Sequence, residues 1–171
     1  MSESDNEAVF EINLGCVPAA DVSGPLLLQT DDQTILTFNA RSLDTRQDLG
    51  RAVINIEGCL KTCFGHPNDE ALAGHPLSRK GLGAYGIYEV TNSSWIAEVN
   101  AQNKVCFPDF EYGEYRHFVF TFHDSTLECI ATELIARTTK QPEREILSEI
   151  FECMLGERAW VTRNWEVTRF P

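Results

Sequence analysis

The sequence predicts an α+β fold: a mostly antiparallel sheet, curved or folded as a sandwich, with two helices packed on it. Short β-branched and aromatic runs, separated by polar turns, recur along the chain and are typical of strands. Two segments with helical spacing do not alternate with these runs, which argues against a doubly wound parallel sheet. The 171 residues are enough to bury one core. We therefore expect a single globular domain over residues 8–171, after a disordered N-terminus of residues 1–7.

The first third of the chain is predicted to be rich in strands. Residues 8–14 alternate between apolar and polar side chains, as a half-buried strand does. Residues 25–40 carry two apolar runs about the polar turn Asp31-Asp32-Gln33, which predicts a hairpin. Residues 51–60 are rich in β-branched side chains and favour a further strand.

The middle of the chain is less regular. Two glycines and two prolines fall within residues 64–77, which indicates a loop. Inside it, Asn68 is suited to cap one short helical turn that ends at Gly74. Residues 84–90 return to a strand pattern, and a cluster of Thr, Asn and Ser then precedes a helix predicted over residues 95–104.

A hairpin is the clearest element of the second half. Three phenylalanines at alternate positions, from Phe118 to Phe122, precede the polar turn Asp124-Ser125. A second strand is predicted to follow over residues 126–135. Residues 160–167, near the C-terminus, alternate enough to predict a last strand.

The second predicted helix lies between Pro142, at a favoured first helical position, and Gly156, just past the end. Apolar residues repeat there at helical spacing, opposite a row of glutamates, which predicts a surface helix with one buried stripe. We expect Ile150 or Phe151 to face the core. The stripe consists of Ile146, Leu147, Ile150, Phe151 and Met154.

Charge and composition narrow the choice of partners. The chain carries 26 acidic and 14 basic residues, a net charge of −12. Such a surface repels the phosphate backbone, so we expect no nucleic-acid partner. No apolar run approaches the ~20 residues of a membrane-spanning helix, and the polar, acidic N-terminus is unlike a secretory signal. We therefore expect a cytoplasmic protein that binds a small molecule or a basic protein, and no membrane.

The six cysteines are scattered along the chain. Cys59 and Cys63 form a lone C-x3-C pair without a second pair at zinc-ribbon spacing, so a structural zinc site is not predicted. In a reducing cytoplasm we expect all six thiols to be free and most of them, including Cys63, to be buried.

His123 is the centre of the first candidate catalytic site. If the turn holds two residues, His123 pairs with Thr126 and Thr121 pairs with Glu128, which puts His123 and Glu128 on one face. Asp124 lies beside both, and a histidine with two carboxylates suits a general base or part of a metal site. A change of one residue in the turn would move Glu128 to the other face. The alternative is that the polar turn residues only close the hairpin.

The 64–77 loop is the second candidate. It carries His66, Asn68, Asp69, Glu70 and His75. We interpret His75 as a further catalytic residue and the other four as substrate-binding residues. Two histidines with acids between them also suit a divalent metal, although they match no specific motif. Alternatively, both His-Pro pairs shape the loop, and the acidic side chains favour the first turn of a short helix.

Other reactive residues are interpreted as structural. His117 points to the same face as His123, but six residues of regular strand separate them by roughly 20 Å, so the two cannot share a metal. Ser125 lacks the Gly-x-Ser-x-Gly context of a hydrolase nucleophile, and Cys63 is not favoured as a nucleophile either.

Two functions of different classes follow. The first is a small enzyme, or a ligand- or metal-binding protein, whose site joins the 64–77 loop to the 123–128 hairpin turn. The second is an acidic binding protein, of the immunity-protein or antitoxin kind, that recognises a basic protein. The first requires loop residues near His123, and the second requires exposed carboxylates without a concave polar pocket. The sequence does not decide whether the protein is an enzyme; we favour the first.

Several segments resemble a family of small, uncharacterised bacterial proteins. They are FGHPNDEA and GHPL in the loop, EVTNSSW before the first predicted helix, and RHF and TFHDST in the hairpin. The resemblance spans residues 50–135 and implies no particular activity. It does imply that the loop and the hairpin turn belong to one design.

Overall fold

A computed structural model describes residues 6–21, 23–156 and 168–170 of the chain. These residues form two antiparallel sheets and two α-helices, so the predicted α+β class is confirmed. The chain divides into two compact units, each with one sheet and one helix. The first unit contains Leu60–Thr132 and the residues up to Ile12; the second contains Asn13–Cys59 and the residues from Glu133 onward. The single-domain organisation stays a prediction.

The strands, in chain order, are β1 (Ala8–Glu11), β2 (Val17–Pro18), β3 (Leu26–Gln29), β4 (Thr34–Arg41), β5 (Asp48–Glu57), β6 (Lys61–Gly65), β7 (Ile87–Thr91), β8 (Arg116–Thr121), β9 (Thr126–Ala131), β10 (Glu133–Thr139) and β11 (Thr168–Phe170). The helices are α1 (Ser94–Lys104) and α2 (Glu143–Met154), and short 3-10 turns cover Leu72–Gly74 and Ser78–Lys80. The first sheet has the order β1-β7-β8-β9-β6. The second has the order β11-β10-β5-β4-β2, with β3 also paired to β4.

The centre of the first sheet is buried on both faces. Phe118, Val119 and Phe120 are consecutive in β8, and all three are fully buried. A strand with one solvated face would alternate instead. Val119 belongs to a core cluster that includes Leu72 and Leu77 of the loop. Loop residues therefore pack against the sheet that carries the hairpin.

Helix α1 begins where the cap cluster predicts. The backbone N–H of Ile96 donates to the Ser93 hydroxyl at 3.2 Å, which satisfies one of the unpaired amides of the first turn. Trp95 is half-buried, and its ring meets the ring of His117 edge-on, with 5.0 Å between the centroids. The cap thus brings Trp95 next to a buried histidine of β8.

Helix α2 packs in the second unit. Ile146 and Ile150 are fully buried and form a core cluster with Ile35 of β4 and Val53 of β5. Of the two residues of which one was expected to face the core, Ile150 does so, as predicted, whereas the side chain of Phe151 is 51% exposed.

The face of α2 that is buried continues from Ile146 and Ile150 to Cys153. It also half-buries Glu149, whose carboxylate lies 3.2 Å from the guanidinium of Arg137 on β10. The helix is therefore rotated toward an ion pair with the sheet.

Most predicted strands are present, with shifted ends, and the hairpin of β3 and β4 is confirmed. Two predictions need correction. The strand expected over residues 126–135 is two strands, since the chain bends at Thr132 and passes from the first sheet to the second. Strand β6 overlaps the start of the predicted loop and pairs with β9. The predicted last strand, residues 160–167, lies outside the described residues.

The N-terminus and the thiols also differ from expectation. Residues 1–5 lie outside the described residues, whereas Glu7 is buried, with its carboxylate 2.5 Å from Lys80 Nζ. Cys16, Cys129 and Cys153 are buried, whereas Cys63 is exposed rather than buried. In the described part of the chain, no helix has the length and apolar character needed to cross a membrane.

Candidate functional site

The 64–77 loop is joined to the hairpin turn by backbone groups, as the first functional hypothesis requires. The backbone N–H of Asp69 donates to the carbonyl of His123 at 3.0 Å. The Thr126 hydroxyl donates to the carbonyl of Pro67 at 2.9 Å. Asn68 accepts from the backbone N–H of Ala71 at 3.1 Å, so its side chain shapes the loop.

A group of three side chains lies at this junction, and we call it the surface triad: Asp69, Tyr85 and His123. Nδ1 of His123 lies 2.9 Å from Oδ2 of Asp69 and 3.2 Å from the hydroxyl of Tyr85. The Tyr85 hydroxyl also donates to Oδ2 of Asp69. The His123 side chain is 47% exposed and that of Asp69 is 16% exposed, so the histidine meets solvent while its carboxylate partner is largely covered.

The three groups shift one another's pKa. The hydrogen bond from Tyr85 is the main cause that lowers the pKa of Asp69 below its ordinary value, and a bond from His123 adds to it. The same carboxylate accepts from His123, which raises the pKa of that imidazole. The bond to Asp69 also raises the pKa of Tyr85 to about 12. Asp69 is therefore ionised and Tyr85 protonated at neutral pH, and His123 titrates above the ordinary histidine value.

A second histidine–carboxylate group lies inside the first unit, and we call it the buried clamp: His75, His117 and Glu128. Nε2 of His75 lies 3.3 Å from one carboxylate oxygen of Glu128, and Nε2 of His117 lies 3.0 Å from the other. Both imidazoles are almost fully buried, and Glu128 is 22% exposed. One carboxylate is thus held by two rings from different elements.

The outer nitrogens of both rings are occupied as well. The backbone N–H of Leu77 donates to Nδ1 of His75 at 3.2 Å, which requires the proton of that ring to be on Nε2. The Ser93 hydroxyl lies 2.9 Å from Nδ1 of His117 and accepts from the backbone N–H of Ile96 at 3.2 Å. Both rings then donate through Nε2 to Glu128.

Glu128 is ionised in this arrangement. Burial alone would raise the pKa of its carboxyl, but the hydrogen bonds from His117 and His75 outweigh burial and lower the pKa to about 2. Neither ring has a second nitrogen with which to deprotonate a substrate. The clamp therefore holds a negative charge in place and does not relay protons.

The predicted register of the hairpin, with His123 opposite Thr126 and Thr121 opposite Glu128, is wrong. Thr121 pairs with Thr126 and Val119 with Glu128, two positions away from the expected register. The turn is centred on His123 and Asp124, because Phe122 N–H bonds the Ser125 carbonyl at 2.9 Å. Glu128 keeps its predicted face but lies diagonally opposite His117, within reach of its ring.

The remaining predicted residues contribute less. Asp124 is 89% exposed, and its carboxylate is 4.0 Å from Nε2 of His123. Glu70 and His66 are exposed. Sequence reasoning missed Tyr85, which no motif singles out, and Ser93, which was interpreted only as a helix cap.

A divalent metal was one expectation for these residues. In the described ranges, no three His, Cys, Asp or Glu side chains are grouped so that they could hold a metal ion. At the clamp, both nitrogens of each imidazole are engaged in hydrogen bonds, so neither ring has a nitrogen left to bind a metal.

Comparison with known proteins adds no relative. No family model matches the chain, and neither a curated protein nor a solved structure matches it. The resemblance of the loop and hairpin motifs to a bacterial family stays a prediction, and any function has to be argued from the geometry.

Proposed function

We propose that the protein is an enzyme in which His123 acts as a general base, oriented by Asp69 and supported by Tyr85. The proposal depends on one observation, the 2.9 Å hydrogen bond between Nδ1 of His123 and Oδ2 of Asp69 on a histidine that meets solvent. A carboxylate behind one ring nitrogen fixes the tautomer and puts the basic lone pair on the other nitrogen. That arrangement suits proton abstraction.

Hydrolysis by an activated water is the reaction class that fits best. Nε2 of His123 takes a proton from water, the hydroxide attacks a carbonyl carbon, and the proton passes from the ring to the leaving group. The charge of Asp69 stabilises the imidazolium formed on the way. The scheme needs no nucleophile from the protein.

The backbone of Tyr85 supports the assignment. Its φ is +58°, a left-handed conformation that is rare for a bulky residue and costs on the order of 1–3 kcal/mol. Such strain is retained where surrounding contacts fix it, and functional sites are where it collects. Here the strained position puts the hydroxyl on Asp69 and beside His123.

The surroundings favour a neutral or cationic substrate. Asp124 and Glu70 lie close enough to His123 to raise its pKa further, after the effect of Asp69 itself. An anionic group near the reacting bond would meet these carboxylates. We therefore expect carboxylic esters or amides to be hydrolysed rather than phosphate esters.

The test is hydrolysis of a panel of neutral p-nitrophenyl esters, with p-nitrophenyl phosphate as the anionic comparison. His123→Ala should lower kcat/KM for the best ester about a hundredfold or more, the range of a lost general base. Added imidazole should restore part of the rate. The pH profile described next also uses the variant Asp69→Asn. Its matched control is Asp109→Asn, at an exposed carboxylate outside the triad.

The pH profile separates a general base from a merely structural histidine. A general base works when neutral, so kcat/KM should rise with pH through a pKa above the ordinary 6.5. Asp69→Asn removes the main cause of that elevation and should shift the acid limb to lower pH. The proposal is wrong if His123→Ala keeps the wild-type rate, or if no ester is hydrolysed above background.

A second function is favoured by a different surface. Val105, Phe107 and Phe110 are exposed next to the carboxylate of Asp109, which suits an apolar anchor on a basic protein. Calorimetry with a basic amphipathic helical peptide tests it. Binding that is lost in the double variant Phe107→Ser, Phe110→Ser and kept in His123→Ala would support an acidic binding protein.

A further inference from the structure

A cavity of about 400 Å³ opens beside the buried clamp, and the proposed hydrolysis does not use it. Its lining includes Glu128, His117, Trp95, Lys61, Cys63 and Leu77. The volume lies in the range of small-molecule sites. All of these residues belong to the first unit.

The carboxylate of Glu128 holds a fixed position at the cavity. Each of its oxygens lies within hydrogen-bond distance of Nε2 of one imidazole, and a carboxylate can accept about four hydrogen bonds in all. The clamp fixes the direction of the remaining acceptor positions, to which a cationic ligand can donate. The other lining carboxylate, Glu7, is paired with Lys80 at 2.5 Å.

The aromatic wall of the cavity already attracts a cation. Nζ of Lys61 lies 5.3 Å from the centre of the Trp95 ring, within the distance of a cation–π contact. Tryptophan is the ring that binds cations best, and its face is a recurring element of sites for organic ammonium groups. Lys61 thus marks where a positive group is favourable.

We propose that this cavity binds a small organic cation, with an ammonium or guanidinium group that donates to Glu128 and packs against Trp95. Lys61 competes with that ligand for the face of Trp95. The inference does not depend on hydrolysis at the surface triad, because the two sets of residues do not overlap.

The probes are n-butylguanidinium and n-butylammonium, measured by calorimetry against n-butanol and n-butyrate at constant ionic strength. The two cations should bind, and the neutral and anionic analogues should not. Glu128→Gln should weaken binding of the cations about tenfold or more, because one hydrogen bond between charged groups is lost. Glu114→Gln makes the same change of charge at an exposed position outside both sites and should not alter binding.

Two further variants should change the affinity for the cations in opposite directions. Trp95→Leu, at a half-buried position where folding is retained more readily than at Glu128, should weaken the cations several-fold. Lys61→Met should tighten binding of the cations, since it removes the competing ammonium group. A general loss of structure would weaken binding in every variant and could not produce the gain.

Cys63 gives an independent readout, because its exposed thiol is paired across the strands with Glu128 and lines the same cavity. Trimethylammonioethyl methanethiosulfonate should label it faster than the anionic sulfonatoethyl reagent. The ratio of the two labelling rates at Cys63 is divided by the same ratio at exposed Cys106, which corrects for the net acidity of the chain. Butylguanidinium should protect Cys63 and leave Cys106 unchanged.

Equal binding of butanol and butylammonium would overturn the proposal. It would also be overturned by cation binding that Glu128→Gln and Trp95→Leu leave intact, or by the same reagent preference at Cys63 and Cys106. Loss of ester hydrolysis in His123→Ala has no bearing on these outcomes.

Discussion

The surface triad and the buried clamp are built from the same chemical groups, yet they have different capacities. In the triad, one carboxylate orients one histidine that still meets solvent. In the clamp, two buried histidines orient one carboxylate, and all four ring nitrogens are engaged. Exposure therefore decides which partner is left to react. We therefore propose a reactive role for the histidine at the surface and a ligand-binding role for the carboxylate inside.

The difference also separates function from stability. Both rings of the clamp are buried against their partners, so removal of one ring leaves another group with an unsatisfied hydrogen bond. In the triad, water can replace a lost partner of His123. We therefore expect substitutions in the clamp to destabilise the fold and substitutions in the triad to alter titration.

The largest expected effect is that of His117→Ala. It removes a residue that is 2% exposed, opens a cavity next to Trp95, and takes away one hydrogen-bond partner each from Glu128 and Ser93. We expect the free energy of unfolding to fall by about 3–5 kcal/mol in urea denaturation. His123→Ala, the control, should lower the midpoint far less. A comparable loss in both variants would show that the two sites do not differ as argued.

The second-largest effect should be seen in acid unfolding, which measures the contribution of Glu128 to stability. The folded pKa of Glu128, about 2, is below its ordinary value of 4.5, so its stabilisation is present above pH 4.5 and is lost as the pH falls toward 2. The difference corresponds to about 3 kcal/mol. Glu128→Gln should flatten the pH dependence of stability in this window. A variant as acid-sensitive as the wild type would mean that other carboxylates, Glu7 among them, dominate.

Sequence reasoning found the hairpin, because alternation over Phe118 to Phe122 is a local signal. It missed the register, because His123-Asp124 and Asp124-Ser125 are both acceptable two-residue turns. The choice depends on burial of Phe122, which is 1% exposed, and on loop residues that bond the turn. These are contacts between distant parts of the chain.

The same limit applies to α2. Leu147 and Phe151 on one side and Ile146 and Ile150 on the other are equally apolar, so helical spacing alone cannot choose the buried side. The second set is buried because the helix packs on β4 and β5 and pairs a glutamate with Arg137. Local sequence spacing therefore predicts that the helix exists, whereas its rotation about its own axis depends on packing with distant parts of the chain.

NMR titration of the histidine ring signals should distinguish the two sites directly. The pKa of His123 should lie above 6.5, so its contribution to stability is present below pH 6.5 and is lost as the pH rises through the folded value. Asp69→Asn should lower that pKa, because the bond to Asp69 is the main cause of the elevation. An unchanged titration in Asp69→Asn would assign the elevation to Asp124 and Glu70 instead.

Tyr85→Phe should have the smallest effect, and its sign is informative. The Tyr85 hydroxyl and His123 donate to the same oxygen of Asp69, and the Tyr85 bond is the larger cause that lowers the pKa of Asp69. Without the hydroxyl, Asp69 should titrate higher. Its charge is then shared with one donor fewer, so the pKa of His123 should rise slightly, opposite to the effect of Asp69→Asn. Acid unfolding through Glu128 should not change, because Tyr85 makes no bond to the clamp. A fall in the pKa of His123 would mean that Tyr85 bonds the imidazolium directly, and Asp69 would lose its place as the group that orients the ring.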